Sequence, residues 1–122
     1  MGIGEKEQDI MLEKLFSKRD DPREISTAEA ATVFGNDGAV FVDVRENDEW
    51  AEGHMPGAVH IPLGDLSRRA TELPEGQKII TVCRSGRRSL DAVDILHHAG
   101  FQDVKSMAGG VIEWSKQGCP LE

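Results

Sequence analysis

Residues 79–89 read Ile79-Ile80-Thr81-Val82-Cys83-Arg84-Ser85-Gly86-Arg87-Arg88-Ser89, and the reading of this stretch decides the fold. Its first four residues are β-branched and predict a short buried strand. Leu90, Val93, Leu96 and Ala99 then recur at helical spacing and predict a helix. Cys83 sits between the two, at the start of a tight loop. The backbone N–H groups of such a loop and the following helix N-terminus create positive potential. Arg84, Arg87 and Arg88 add to it. These surroundings favour the thiolate, which is the nucleophilic form of cysteine. A thiolate ringed by anion-binding groups suits attack on an anionic substrate. An inert buried residue is the ordinary role of a free cysteine, but a loop this rich in arginine makes a poor core.

Composition narrows the setting of that loop. At 122 residues the chain is long enough for one domain with a real core. Its formal net charge of -8 argues against nucleic acid or an anionic membrane as partner. Three loop arginines on an acidic protein are then a local positive site. Met1 to Ile10 is short of apolar residues and carries acids, so no secretory leader is expected there. No apolar run reaches membrane-spanning length. The two cysteines, Cys83 and Cys119, make no disulfide framework, and a reducing cytoplasm is the expected location. No metal-ligand spacing is found, and neither metal nor cofactor is expected.

The remaining elements follow in chain order. Residues 4–18 alternate charged residues with Ile10, Met11, Leu12, Leu15 and Phe16, which predicts an amphipathic helix closed by Asp20-Asp21-Pro22. Residues 1–22 are therefore expected to form a helical extension to a domain spanning 23–122. Glu24-Ile25 predicts a short edge strand. Ser26 to Glu29 reads as a capping box before a helix reaching Val33. After the Asn36-Asp37-Gly38 turn, Ala39 to Val44 predicts a second buried strand. One or two helical turns over Glu46 to Glu52 close at Gly53, and a third short strand covers Ala58 to Ile61. Pro62 to Ala70 has weak helical pattern. Past the cysteine loop and its helix, which ends at Gly100, Val104 to Met107 predicts a last strand, and Gly109-Gly110 opens a helix through Gln117.

Strands alternating with helices, several of them continuously apolar, argue for a parallel sheet covered on both faces. Sites in such sheets lie at the carboxyl ends of the strands. Asp43-Val44-Arg45, Cys83 and Ala108-Gly109-Gly110 each follow a strand and are expected to converge on one crevice.

From about Ile25 onward the chain resembles the single-domain rhodaneses, the thiosulfate sulfurtransferase family. The residues carrying the resemblance are Asp43-Val44-Arg45, Glu49-Trp50, Gly53-His54-Met55-Pro56-Gly57-Ala58 and Ile61-Pro62. The loop Cys83 to Ser89 and then Gly109-Gly110 with Trp114 complete it. The resemblance implies a rhodanese-like α/β fold with a five-stranded parallel sheet, and a persulfide formed on Cys83. It implies a small anionic sulfur donor such as thiosulfate and a thiophilic acceptor such as cyanide or a thiol. The arginines Arg84, Arg87 and Arg88, with Ser85 and the backbone-permissive Gly86, would hold the donor. Asp43 and Arg45 resemble the family's paired residues and are expected to brace the crevice rather than react, with Ser89 also in support.

Two other readings compete. Cysteine phosphatases and arsenate reductases of related fold space an arginine six residues after the cysteine; here that position is Ser89. The second is a sulfur-relay or binding module, in which Cys83 exchanges sulfur with a protein donor or acceptor. His54 in its turn, and His97-His98 at a helix end, read as structural. Trp50 and Trp114 read as core or pocket wall. Cys119 follows a helix that leads away from Cys83, so no disulfide between them is expected.

Overall fold

The computed structural model describes residues 21–36 and 38–122, so the helix expected over residues 4–18 lies outside the described residues. Five strands form one all-parallel sheet: β1 (Glu24–Ile25), β2 (Ala39–Asp43), β3 (Val59–His60), β4 (Lys78–Val82) and β5 (Val104–Met107). Five helices connect or follow them: α1 (Thr27–Val33), α2 (Asn47–Glu52), α3 (Leu63–Arg69), α4 (Arg88–His98) and α5 (Gly110–Lys116). The strand order is β1-β5-β4-β2-β3.

Alternation along the strands sorts side chains between two layers. Ile79 and Cys83 of the β4 stretch face one layer with Val42, Val44 and Val104, and there Leu66 of α3 and Ala92, Val93 and Leu96 of α4 cover them. Ile80 and Val82 face the other with Phe41 and Met107, covered by Ala30 of α1 and Val111 and Trp114 of α5. Phe34 stands edge-on to both Phe41 and Trp114, at 5.7 and 5.0 Å between ring centres. Cys119 packs beside this second layer, and both cysteines are free.

Within the described residues the expected elements are present, with shifted ends. The third strand shrinks to Val59–His60, because only two residues reach the sheet register of β2. The helix after the loop starts at Arg88, two residues before its apolar pattern begins. A 3-10 turn at Ala70–Glu72 extends α3, a feature the weak pattern there did not separate from the helix.

The order of the strands explains where a site can form. The connection leaving β4 runs toward β5, and the one leaving β2 runs toward β3. The chain therefore parts between β4 and β2, opening a crevice at their carboxyl ends. Cys83 follows β4, and Arg45 follows β2, on the two sides of that opening.

Candidate active site

Cys83 is 1% exposed, at the floor of its loop. The N–H of Gly86 donates to its Sγ at 3.1 Å. Gly86 has φ +101, and a Cβ there would stand 2.9 Å from the backbone nitrogen of Gly109. Glycine is required on both counts. The loop is anchored from below by α5: Val111 N–H donates to the Cys83 carbonyl at 2.9 Å, and Ile112 N–H to that of Arg84 at 3.2 Å. Gly110 makes this approach possible, since a Cβ on it would collide with the Cys83 and Arg84 backbone. Trans peptides point N–H and C=O in opposite directions. With their carbonyls drawn to α5, the two peptides turn the N–H groups of Arg84 and Ser85 away from it.

The three loop arginines have different surroundings. Arg88 is half-buried and forms a bidentate pair with Glu49 of α2, at 2.6 and 2.8 Å. That pairing holds the Glu49 carboxyl down at about 2 and raises the Arg88 guanidinium. Arg84 and Arg87 are exposed, and neither has an ion-pair partner among the described residues. Arg23, Arg45, Arg68 and Arg69, by contrast, are all paired with carboxylates. Arg87 borders one cleft of about 680 Å³ with Ser85, Gly86 and Glu113. Arg84 borders a second, about 660 Å³, with Arg45, Glu49 and Ile112.

Asp43 and Arg45 form a buried ion pair, with side chains 0% and 6% exposed. Asp43 accepts the backbone N–H of Arg45 at 3.0 Å and its guanidinium at 2.7 Å. The remaining Arg45 donors reach the carbonyls of Glu49 and Gly53, at 3.2 and 2.8 Å. Arg45 thus fixes both α2 and its closing turn, and α2 in turn presents Glu49 to Arg88. Glu49 also closes the capping box of its own helix by accepting the Glu46 N–H at 3.1 Å. Asp43 and Arg45 therefore reach the cysteine loop through Glu49 rather than directly. Glu49 carries part of the family resemblance, but its pairing with Arg88, 39 residues away, was not legible in the sequence.

Trp50 carries a further set of contacts on the same element. The His54 ring stacks on it at 3.6 Å and the His60 ring at 4.6 Å. His54 Nδ1 lies 3.0 Å from the Trp50 carbonyl oxygen, and His60 Nε2 2.8 Å from that of Arg45. These contacts hold both rings against Trp50. No group of His, Cys, Asp and Glu among the described residues has the arrangement of a metal site.

On the inner side of the loop Ser89 is 0% exposed. Its Oγ lies 3.4 Å from Cys83 Sγ and 2.7 Å from Ser106 Oγ. The position where a related phosphatase would have arginine is thus a core-facing hydroxyl.

Residues 26–117 match the Rhodanese-like domain. The chain belongs to the rhodanese family. Among rhodanese relatives, YrkF of Bacillus subtilis, provisionally named a sulfur carrier protein, is 43% identical over 75 residues. That match covers 62% of this chain but 40% of YrkF. Thiosulfate sulfurtransferase 16 of Arabidopsis thaliana, a chloroplastic protein, is 34% identical over 97 residues, 70% of this chain and 81% of the relative. A rhodanese-related protein of Thermoplasma volcanium has the same fold, with a TM-score of 0.75 and 27% identity over 82% of this chain and 97% of that one. Relatives so named support a role for this rhodanese in sulfur transfer or sulfur relay. No helix among the described residues is long and apolar enough to cross a membrane.

Proposed function

We propose that the protein is a sulfurtransferase that carries sulfane sulfur on Cys83, with thiosulfate or a similar anion as donor. The observation that carries this reading is the pair of arginines, Arg84 and Arg87, exposed and without a carboxylate partner among the described residues, on a loop whose sulfur accepts the Gly86 N–H. A cationic rim on an acidic chain draws in a dianion. The Cys83 thiolate attacks the outer sulfur of thiosulfate. The sulfur–sulfur bond of thiosulfate breaks, its electron pair leaves with sulfite, and a new bond leaves a persulfide on Cys83. Loop amides, the Gly86 N–H among them, stabilise the negative terminal sulfur. Cyanide or a thiolate then attacks that terminal sulfur and takes it, and the Cys83 thiolate leaves. The two half-reactions through a covalent intermediate give ping-pong kinetics. No metal or cofactor takes part. The phosphatase and arsenate reductase readings lose support, because Ser89 is buried against Ser106 instead of offering a guanidinium to the rim.

A relay between proteins is the second reading. It draws on the match to YrkF, a longer protein, and on the depth of Cys83, which leaves the acceptor to reach sulfur only over the loop. In either case a reducing cytoplasm suits the thiolate, and residues 1–22 would be an extension to the domain of residues 23–122.

Intact-mass measurement after incubation with thiosulfate is the deciding experiment. The expected result is one added sulfur atom, absent in Cys83→Ser, and turnover of thiosulfate with cyanide lost in the same variant. Wild-type turnover by Cys83→Ser would overturn the reading. Sulfur loaded from a protein persulfide but not from thiosulfate would select the relay. p-Nitrophenyl phosphate is expected to remain intact.

A further inference from the structure

The apolar layer that covers Cys83 contains an island of hydroxyls. Thr81, Ser89 and Ser106 are each 0% exposed, in the layer that otherwise holds Val42, Val44, Ile79 and Val104. Strand alternation puts Thr81 on the same face as Ile79 and Cys83, and Ser106 on the same face as Val104. Burying a hydroxyl is unfavourable unless it is hydrogen-bonded. Here each is: Thr81 Oγ1 donates to the Ser89 carbonyl at 2.8 Å, and Ser89 and Ser106 share a bond of 2.7 Å. Thr81 thereby fixes the backbone of the first turn of α4, and Ser106 meets the side chain of Ser89. The Ser106 N–H is itself held by the Arg23 carbonyl at 2.7 Å, so its backbone does not drift. The whole island ends at one atom, Cys83 Sγ, 3.4 Å from Ser89 Oγ. Alanine or valine at position 106 would fill the layer without any of these polar groups.

We propose that Ser106 is a positioning residue for the Cys83 sulfur, acting through Ser89 as a two-hydroxyl relay whose direction follows the charge on that sulfur. With Cys83 as a thiol, its S–H donates to Ser89 Oγ and Ser89 donates to Ser106. With an anionic sulfur, the Ser89 O–H turns to donate to it, and Ser106 donates to Ser89 in its place. No proton leaves the pair of serines; only the hydroxyls rotate. The bond to the anionic sulfur is charge-assisted and stronger than its neutral counterpart, and the Ser106 donor polarises Ser89 and strengthens it further. The Gly86 N–H holds the sulfur from the loop and Ser89 from the core, so the nucleophile is fixed from two sides. The inference rests on Cys83 being the sulfur-carrying nucleophile.

The test is the rate of Cys83 alkylation by iodoacetamide across pH, in Cys119→Ala protein so that one thiol reports. This reaction needs no sulfur donor, so it reads the relay independently of whether thiosulfate is the substrate. Ser89→Ala is expected to slow alkylation at neutral pH about tenfold, the scale of one charge-assisted hydrogen bond. Ser106→Ala is expected to slow it about threefold and to move the pH midpoint upward. Ser106→Thr, which keeps the hydroxyl, should restore the wild-type midpoint. In the Ser89→Ala background, Ser106→Ala should add nothing, because its effect passes through Ser89. A Ser106→Ala profile superimposed on that of the unmodified serine, or an undiminished effect of Ser106→Ala without Ser89, would overturn the proposal. If the relay behaves as stated but thiosulfate adds no sulfur, the donor assignment fails and the relay stands.

Discussion

The crevice around the cysteine loop has an inner side and a rim, and both are built from arginine. Arg45 and Arg88 lie on the first, each committed to a carboxylate, Asp43 and Glu49. Arg84 and Arg87 lie on the second, exposed and unpaired among the described residues. Arg87 and Arg88 are adjacent in sequence and still fall on different sides. A helix start explains it: Arg88 is the first residue of α4 and its side chain turns toward α2, whereas Arg87 precedes the helix and borders the outer cleft. Arginine serves two purposes here. A guanidinium committed to a carboxylate is a strut, and an exposed unpaired one is a charge available to a ligand.

Breaking the strut should have the largest effect. Asp43→Ala strands a buried guanidinium, and Arg45→Ala strands a buried carboxylate along with the Glu49 and Gly53 carbonyls. Loss of one member of a buried pair costs about 3–5 kcal/mol. Chemical denaturation is expected to show losses of that size in both variants, with activity falling as α2 loosens. If Asp43→Ala unfolds at the wild-type denaturant midpoint, the pair is no strut.

A smaller effect is expected at the Glu49–Arg88 end, where solvent reaches both partners and screens them. Glu49→Gln should cost on the order of 1 kcal/mol at neutral pH. The pH dependence gives it a signature. The folded-state pKa of Glu49 is depressed from 4.5 to about 2, chiefly by the hydrogen-bonded Arg88 guanidinium. A depressed carboxyl stabilises the fold above its unfolded pKa and loses that contribution as pH falls through the folded value. The difference in melting temperature between wild type and Glu49→Gln should therefore be full at neutral pH. It should shrink as pH drops from 4.5 toward 2 and vanish below that. A difference that stays constant across this window would mean that shape, not charge, holds α2 to the loop.

The division between strut and rim was only partly legible in the sequence. The sheet, its flanking helices and the convergence of Cys83 with Asp43 and Arg45 follow from local patterns: β-branched runs, helical spacing and strand-end positions. Which arginine is paired does not, because the partner of Arg88 comes from Glu49, 39 residues away. The hydroxyl island is a mixed case. Ser106 between Lys105 and Met107 looks like an ordinary polar strand residue, and only the parallel register that sets it beside Thr81 shows that it faces inward. A polar residue two places from Val104, on its face of a strand buried on both sides, was the available signal.

The rim is where stability and activity should separate. Arg84→Ala and Arg87→Ala remove exposed side chains with no carboxylate partner among the described residues, so each should change stability by no more than about 0.5 kcal/mol. Their effect should appear in thiosulfate turnover, as a fall in kcat/KM of about tenfold per arginine, corresponding to about 1.4 kcal/mol of lost attraction for the dianion. Because exposed charges act through solvent, that loss should narrow at high salt. Arg84→Lys and Arg87→Lys keep the charge but lose the planar fork. Recovery by lysine would mean that the rim acts as a field, and failure to recover would mean bidentate contact. The two clefts sharpen the comparison further. Arg87 borders the one that also contains Glu113, and Arg84 the one beside Arg45 and Glu49. If one arginine governs sulfur loading and the other governs the cyanide step, stopped-flow separation of the half-reactions will assign donor and acceptor to different sides of the loop. If both substitutions leave kcat/KM and its salt dependence unchanged, the rim is a solvated surface, and anion binding falls to the loop amides alone.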